Sequence, residues 1–117
     1  MMMEQKLFDL IIPGPISTKS SSTHEDWSKS LESKLHSISS SITHGRWLSI
    51  EIKVWISNKR IHRIGRMDVD NIAKITLDSI THSGLIRDDS LVHDLHVTKY
   101  PTDGPEEMML SAKEWIL

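Results

Sequence analysis

Leu48, Ile50, Ile52, Val54 and Ile56 alternate with Ser49, Glu51, Lys53 and Trp55. A period of two predicts a strand with one buried face and one mixed face. An earlier strand reads at Leu7–Ile12 and is stopped by Pro13-Gly14-Pro15. Between the two the period changes. Trp27, Leu31, Leu35, Ile38 and Ile42 recur at steps of four, four, three and four. That spacing predicts an amphipathic helix of about five turns, opening at Thr23 or His24 after a Ser17–Thr23 loop and stopped by Gly45. Val69, Ile72, Ala73, Thr76 and Ile80 form a second helical stripe over Val69–Thr81, capped by Asp68 or Asp70 and ended by His82-Ser83-Gly84. Leu91–Tyr100 and Met108–Trp115 read as strands around a Pro101–Pro105 turn.

The order is strand, helix, strand, helix, strand, strand. It predicts an α/β (α+β) fold, one small domain over residues 1–117 with two helices on a mixed sheet. The last two strands are expected to run antiparallel, because their connection is too short for a parallel crossover.

Composition narrows the chemistry. At 117 residues, 38% hydrophobic and 26% charged, the chain suits one folded, soluble domain. With no cysteine there is no disulfide, thiolate zinc site or cysteine nucleophile. The opening Met1–Lys6 does not read as a signal peptide, and no stretch approaches the roughly 18 apolar residues of a membrane span. A cytoplasmic location without membrane contact is expected.

The net charge of −2 is unevenly spread. Residues 1–45 carry a net −1, residues 46–74 a net +4 and residues 75–117 a net −5. Lys59, Arg60, Arg63 and Arg66 are the candidate phosphate contacts, and no acid interrupts the stretch from Lys59 to Arg66. That stretch leads directly into Asp68-Val69-Asp70-Asn71-Ile72-Ala73-Lys74, and Asp88-Asp89 follows downstream.

So many carboxylates repel one another unless a cation sits among them, and oxygen-only ligands suit a hard divalent ion such as Mg²⁺. The reading places Asp68, Asp70 and Asp89 around Mg²⁺, with the turn at Asp88-Asp89 folding back onto the helix start. Lys74, four residues from Asp70, shares its helix face and supplies positive charge to a phosphate. Asn71 and Asp88 are helper candidates. Such a cation polarises a phosphoryl oxygen and lowers the pKa of a bound water, which is phosphodiester hydrolysis chemistry. The same residues also suit ordinary duty as an N-cap, an i,i+4 ion pair and a solvated turn.

Taken together, Arg66 to Ile80 and Gly84 to Val92 resemble the RusA family of crossover-junction endodeoxyribonucleases, whose pattern is D-x-D-N-x-x-K-x-x-x-D-x-L, a short glycine-containing turn, then D-D-x-x-V. Ile80 stands where leucine is usual. The resemblance implies a homodimer that makes paired, symmetric nicks in four-way (Holliday) DNA junctions, in DNA recombination and repair. It implies Mg²⁺ as cofactor, with Mn²⁺ as a substitute. It assigns Asp68, Asp70 and Asp89 as metal and catalytic residues and Lys74 as the essential lysine. Met67 replaces a residue that is often basic, and the Ser17–Thr23 loop carries no aromatic to open a junction. The alternative reading is therefore a junction- or branched-DNA-binding module with weak or no cleavage. A third is an acidic turn binding a cation for stability alone.

Seven histidines and four tryptophans complete the inventory. His93 and His96, three apart, are expected on opposite faces of their strand. The tryptophans read as core or dimer packing, with Trp55 the first candidate for a dimer contact.

Overall fold

The computed structural model describes residues 3–17, 22–38, 47–62, 68–86 and 88–116. Its elements run β1 (Met3–Pro13), α1 (Ser22–Ser37), β2 (Trp47–Ser57), α2 (Val69–His82), a 3₁₀ turn (Asp89–Leu91), β3 (Val92–Thr102) and β4 (Glu107–Ile116). The order is the expected one for a mixed α+β domain. The strands form one four-stranded sheet in the order β1-β4-β2-β3. β2 and β3 are parallel, joined by α2 as the crossover that parallel neighbours need. β4 is antiparallel to both β1 and β2 and lies between them.

The last two strands therefore run antiparallel, as expected, without being partners. The link Asp103–Glu106 must cross the end of β2, two inter-strand steps or about 9.5 Å. Four residues reach about 13 Å when extended, so the short link suffices. Pro101 lies inside β3 rather than in a turn. β3 is an edge strand, where a missing N–H is tolerated.

The alternating strand pattern places one apolar row under the helices. Leu48, Ile50, Ile52, Val54 and Ile56 of β2 pack with Met108, Leu110 and Ala112 of β4 and Ile12 of β1. Trp27, Leu31 and Leu35 of α1 and Ile72 and Ile80 of α2 close that core. α1 ends earlier than its hydrophobic spacing suggests, at Ser37. There the Ser37 hydroxyl donates to Lys34 O at 2.6 Å, and Ile38 N donates to Leu35 O, three residues back. Serine hydroxyls that compete for helix carbonyls favour such an end. Ile42 and the Gly45 stop lie outside the described residues.

The inward stripe of α2 is corrected at two positions. Val69 is 44% exposed and Ala73 is half-buried, while Ser79 joins Ile72, Thr76 and Ile80 in the buried set. Val69 is the first helical residue, too near the helix end to meet the sheet.

The other sheet face holds His93 and His96 together. A register shift between Leu48 and Ser49, opposite Val92 and Asp94, resets the alternation of β3. His93 then contacts the rings of Trp47 and Trp115, while His96 pairs with Asp94 at 3.1 Å.

Candidate active site

Glu106 ties three distant segments together at the base of the basic stretch. Its carboxylate, 8% exposed, accepts from Ile16 N at 3.2 Å, Ser57 N at 2.9 Å and Arg60 Nη1 at 3.0 Å. Arg60 also donates to Ile16 O. From the other side Lys99 Nζ donates to Ile61 O at 3.1 Å, and Asn58 N donates to Thr102 O. The turn after β2 is thus anchored before the chain runs on toward α2. The guanidinium of Arg60, a candidate phosphate contact by sequence, is engaged inside the protein. Lys59 projects into solvent on the same turn. Arg63 and Arg66 lie outside the described residues.

Asp68 stands at the N-cap of α2 with extended backbone (φ −73°, ψ 143°), and its side chain makes no capping hydrogen bond. Its carbonyl accepts from Ile72 N, which starts the helix. The carboxylate is exposed, as are Asp70 and Lys74, and no ion pair joins Asp70 to Lys74 among the described residues. Asn71 is half-buried in the first turn. The helix N-terminus adds partial positive charge at this spot, which suits carboxylates and phosphates.

Asp88 and Asp89 lie beyond the opposite end of α2. Asp88 is the N-cap of the 3₁₀ turn and accepts from Ser90 Oγ at 3.0 Å, the main reason its carboxyl is held below the usual aspartate range. Asp89 moves the other way. A hydrogen bond with Asp88 raises its carboxyl most, and the charges of Asp88 and Asp78 add to this. Asp89 therefore senses Asp78 in the later half of α2.

The structure brings Asp78, Asp88 and Asp89 toward one another and leaves Asp68 and Asp70 apart from them. Fourteen helical residues span about 20 Å, with Asp68 before the first and Asp89 beyond the last. Register agrees: β3 begins beside the start of β2 (Leu48↔Val92), whereas Asp68 follows the far end of β2. Among the described residues, no three Asp, Glu or His side chains converge to hold a metal. The expected fold-back of Asp88-Asp89 onto the helix start does not occur within one chain. The donors themselves fit a hard cation, being carboxylates without thiols.

A family model described as Endodeoxyribonuclease RusA matches residues 17–107, most of the chain. The chain belongs to the RusA family. RusA-family proteins are endodeoxyribonucleases acting on branched DNA, a class that generally uses divalent metal. The match takes in the turn anchored by Glu106, all of α2 and both ends where the acids lie. No curated protein matches the chain. Among the described residues no helix is long and apolar enough to cross a membrane.

Sequence reasoning missed Glu106, which touches three segments and holds the RusA-family turn that precedes Asp68. Its only sequence signal is a carboxylate beside Pro105 near the end of a turn. The donors it serves are up to 90 residues away.

Proposed function

We propose that this chain is a Mg²⁺-dependent endonuclease that resolves four-way DNA junctions as a homodimer by paired, symmetric nicks. The reading places it in recombination and repair, in the cytoplasm, with Mn²⁺ able to replace Mg²⁺. The observation that carries it is the separation of two acidic half-sites at the two ends of α2.

Two copies related by a two-fold axis, with their α2 helices antiparallel, set Asp68 and Asp70 of one chain beside Asp89 of the partner subunit. Each dimer then holds two complete sites, one for each of two symmetry-related strands. Val69, exposed, and the half-buried Ala73 and Leu77 recur at four-residue steps beside Asp70 and Lys74, an apolar strip available for the second helix.

Asp68, Asp70 and Asp89 would hold the cation, with Asp88 and Asn71 orienting them. When bound, the cation polarises the scissile phosphate and activates water. Lys74 places its ammonium against the phosphate as charge builds on the phosphoryl oxygens. Lys59, with Arg63 and Arg66, binds flanking phosphates, so affinity falls steeply with salt.

The test mixes two inactive variants, Asp70→Asn and Asp89→Asn, on labelled four-way and linear DNA, with Mg²⁺ or with chelator. Each alone is expected to bind junctions without cutting. A mixed dimer with a shared site regains one intact site, made of Asp70 from one chain and Asp89 from the other, and nicks one strand. Full cutting by Asp70→Asn alone overturns the residue assignment. If the mixture stays inactive while the unaltered protein cuts, the shared site is wrong. Junction binding without any cutting by the unaltered protein supports the binding-module alternative.

A further inference from the structure

The sheet face turned away from the helices carries rings at both ends. Trp47, His93 and Trp115 cluster at one end, with centroids 5.6 and 5.9 Å apart through His93. Trp55 and Tyr100 lie at the other, with centroids 5.4 Å apart and planes inclined by 21°. A polar hollow of about 240 Å³ lies on this face, lined by Glu4, Glu51, Asp94 and Lys113 among others.

The Trp55–Tyr100 pair differs from ordinary cross-strand packing in where it ends. Among the described residues β3 pairs only with β2, so Tyr100 has Trp55 on one side and no described strand on the other. Tyr100 is 36% exposed. A nucleobase is a flat ring with an exposed π-face, and stacking on Tyr100 extends the existing column by one ring.

Charge at this corner is mixed. Lys53 sits one row back on the same face, 4.0 Å from Glu51, and Lys59 is exposed on the turn after β2, where the exposed Asp103 accepts from Asn58 Nδ2. Glu4, Asp9, Glu51 and Asp94 occupy the remoter rows of this face. Glu107 flanks Trp55 from β4, the side away from β3, so a nucleic-acid strand arrives over the β3 edge. Asn58 N donates to Thr102 O, joining this end of β3 to the turn that leads toward Asp68.

We propose that Tyr100, backed by Trp55, is a stacking platform for an unpaired base of a DNA strand opened at a branch point. The ligand class is single-stranded DNA, and the aromatic surface is supplied by the sheet. The proposal rests on the nuclease reading for its biological setting, but its binding step needs no metal and no cleavage.

The test measures oligothymidylate binding by tryptophan fluorescence quenching in chelator-containing buffer. Tyr100→Phe keeps the ring and is expected to bind like the unaltered protein. Tyr100→Ala is expected to weaken binding about 5- to 100-fold, the range for losing one base-stacking contact. Should alanine disturb the fold, Tyr100→Thr gives the same comparison, since threonine already stands at positions 98 and 102 on this face. Equal binding by Tyr100→Ala or Tyr100→Thr overturns the platform. So does an equal loss in Tyr100→Phe, or no binding by the unaltered protein. A change in sedimenting mass on Tyr100→Ala, with DNA affinity intact, assigns the face to self-association and rejects the proposal. Oligothymidylate binding without junction cleavage rejects the nuclease reading alone.

Discussion

Asp88 and Asp89 are neighbours in sequence whose carboxyls shift in opposite directions from the ordinary aspartate value. The Ser90 hydroxyl holds Asp88 low, and the hydrogen bond with Asp88 holds Asp89 high. The two act oppositely on stability. The contribution of Asp88 is present above the ordinary aspartate range and is lost as pH falls through its lowered value. Asp89 binds its proton more tightly in the folded chain, so its contribution fades as pH rises through its raised value. Asp88→Ala, which removes both the acceptor and the charge, is expected to move the titration of Asp89 down toward the ordinary range, followed by carboxyl-carbon NMR. No movement would mean that Asp88 is not the cause. The acids and Lys74 were legible as residue types, because oxygen ligands and a cation at helical spacing announce their chemistry. The pairing of Asp88 with Ser90 was not, because a turn's hydroxyl orientation follows its backbone.

At the scale of elements, β2 was the most legible, since strict alternation leaves only one face to bury. α1 is shorter than its apolar spacing predicts, because that spacing continues past the point where serines turn to the backbone. The basic residues of the turn after β2 read as phosphate contacts, whereas Arg60 is engaged inside the protein and Lys99 holds the turn from within. Glu106→Ala removes the acceptor of two backbone N–H groups and one guanidinium, and is expected to destabilise the fold by about 3 kcal/mol. Glu106→Gln keeps acceptor oxygen and loses less. Urea unfolding measures both, and equal losses argue against the multi-donor role. Gly14 belongs to the same junction. A Cβ there meets Glu106 O at 2.7 Å, so Gly14→Ala is expected to cost about 1–3 kcal/mol by crowding. An unchanged unfolding midpoint would contradict that contact.

For the whole molecule, the decisive fact is that α2 separates the acids. A 14-residue crossover helix returns the chain from the far end of β2 to its start, so residues flanking it emerge at opposite ends. In the proposed dimer, a charge inside the helix contact harms both sites together. Val69→Glu is expected to lower the sedimenting mass toward one chain and to reduce junction cleavage at least tenfold at low protein concentration, an order of magnitude being about 1.4 kcal/mol of weakened association. A dimer that survives this change with full cleavage would move the interface elsewhere.

Sequence by itself determined the element types and their order, the oxygen-and-lysine chemistry of the candidate site and the family to which the chain belongs. These depend on local period, side-chain type and spacing, which a linear string carries. Tertiary structure decided that β4 inserts between β1 and β2, that Glu106 anchors the turn before Asp68, that Trp55 stacks on Tyr100 and that the acids stand in two groups at opposite ends of α2. Each of those joins residues distant in the chain or sets the direction of a crossover, and sequence spacing measures neither.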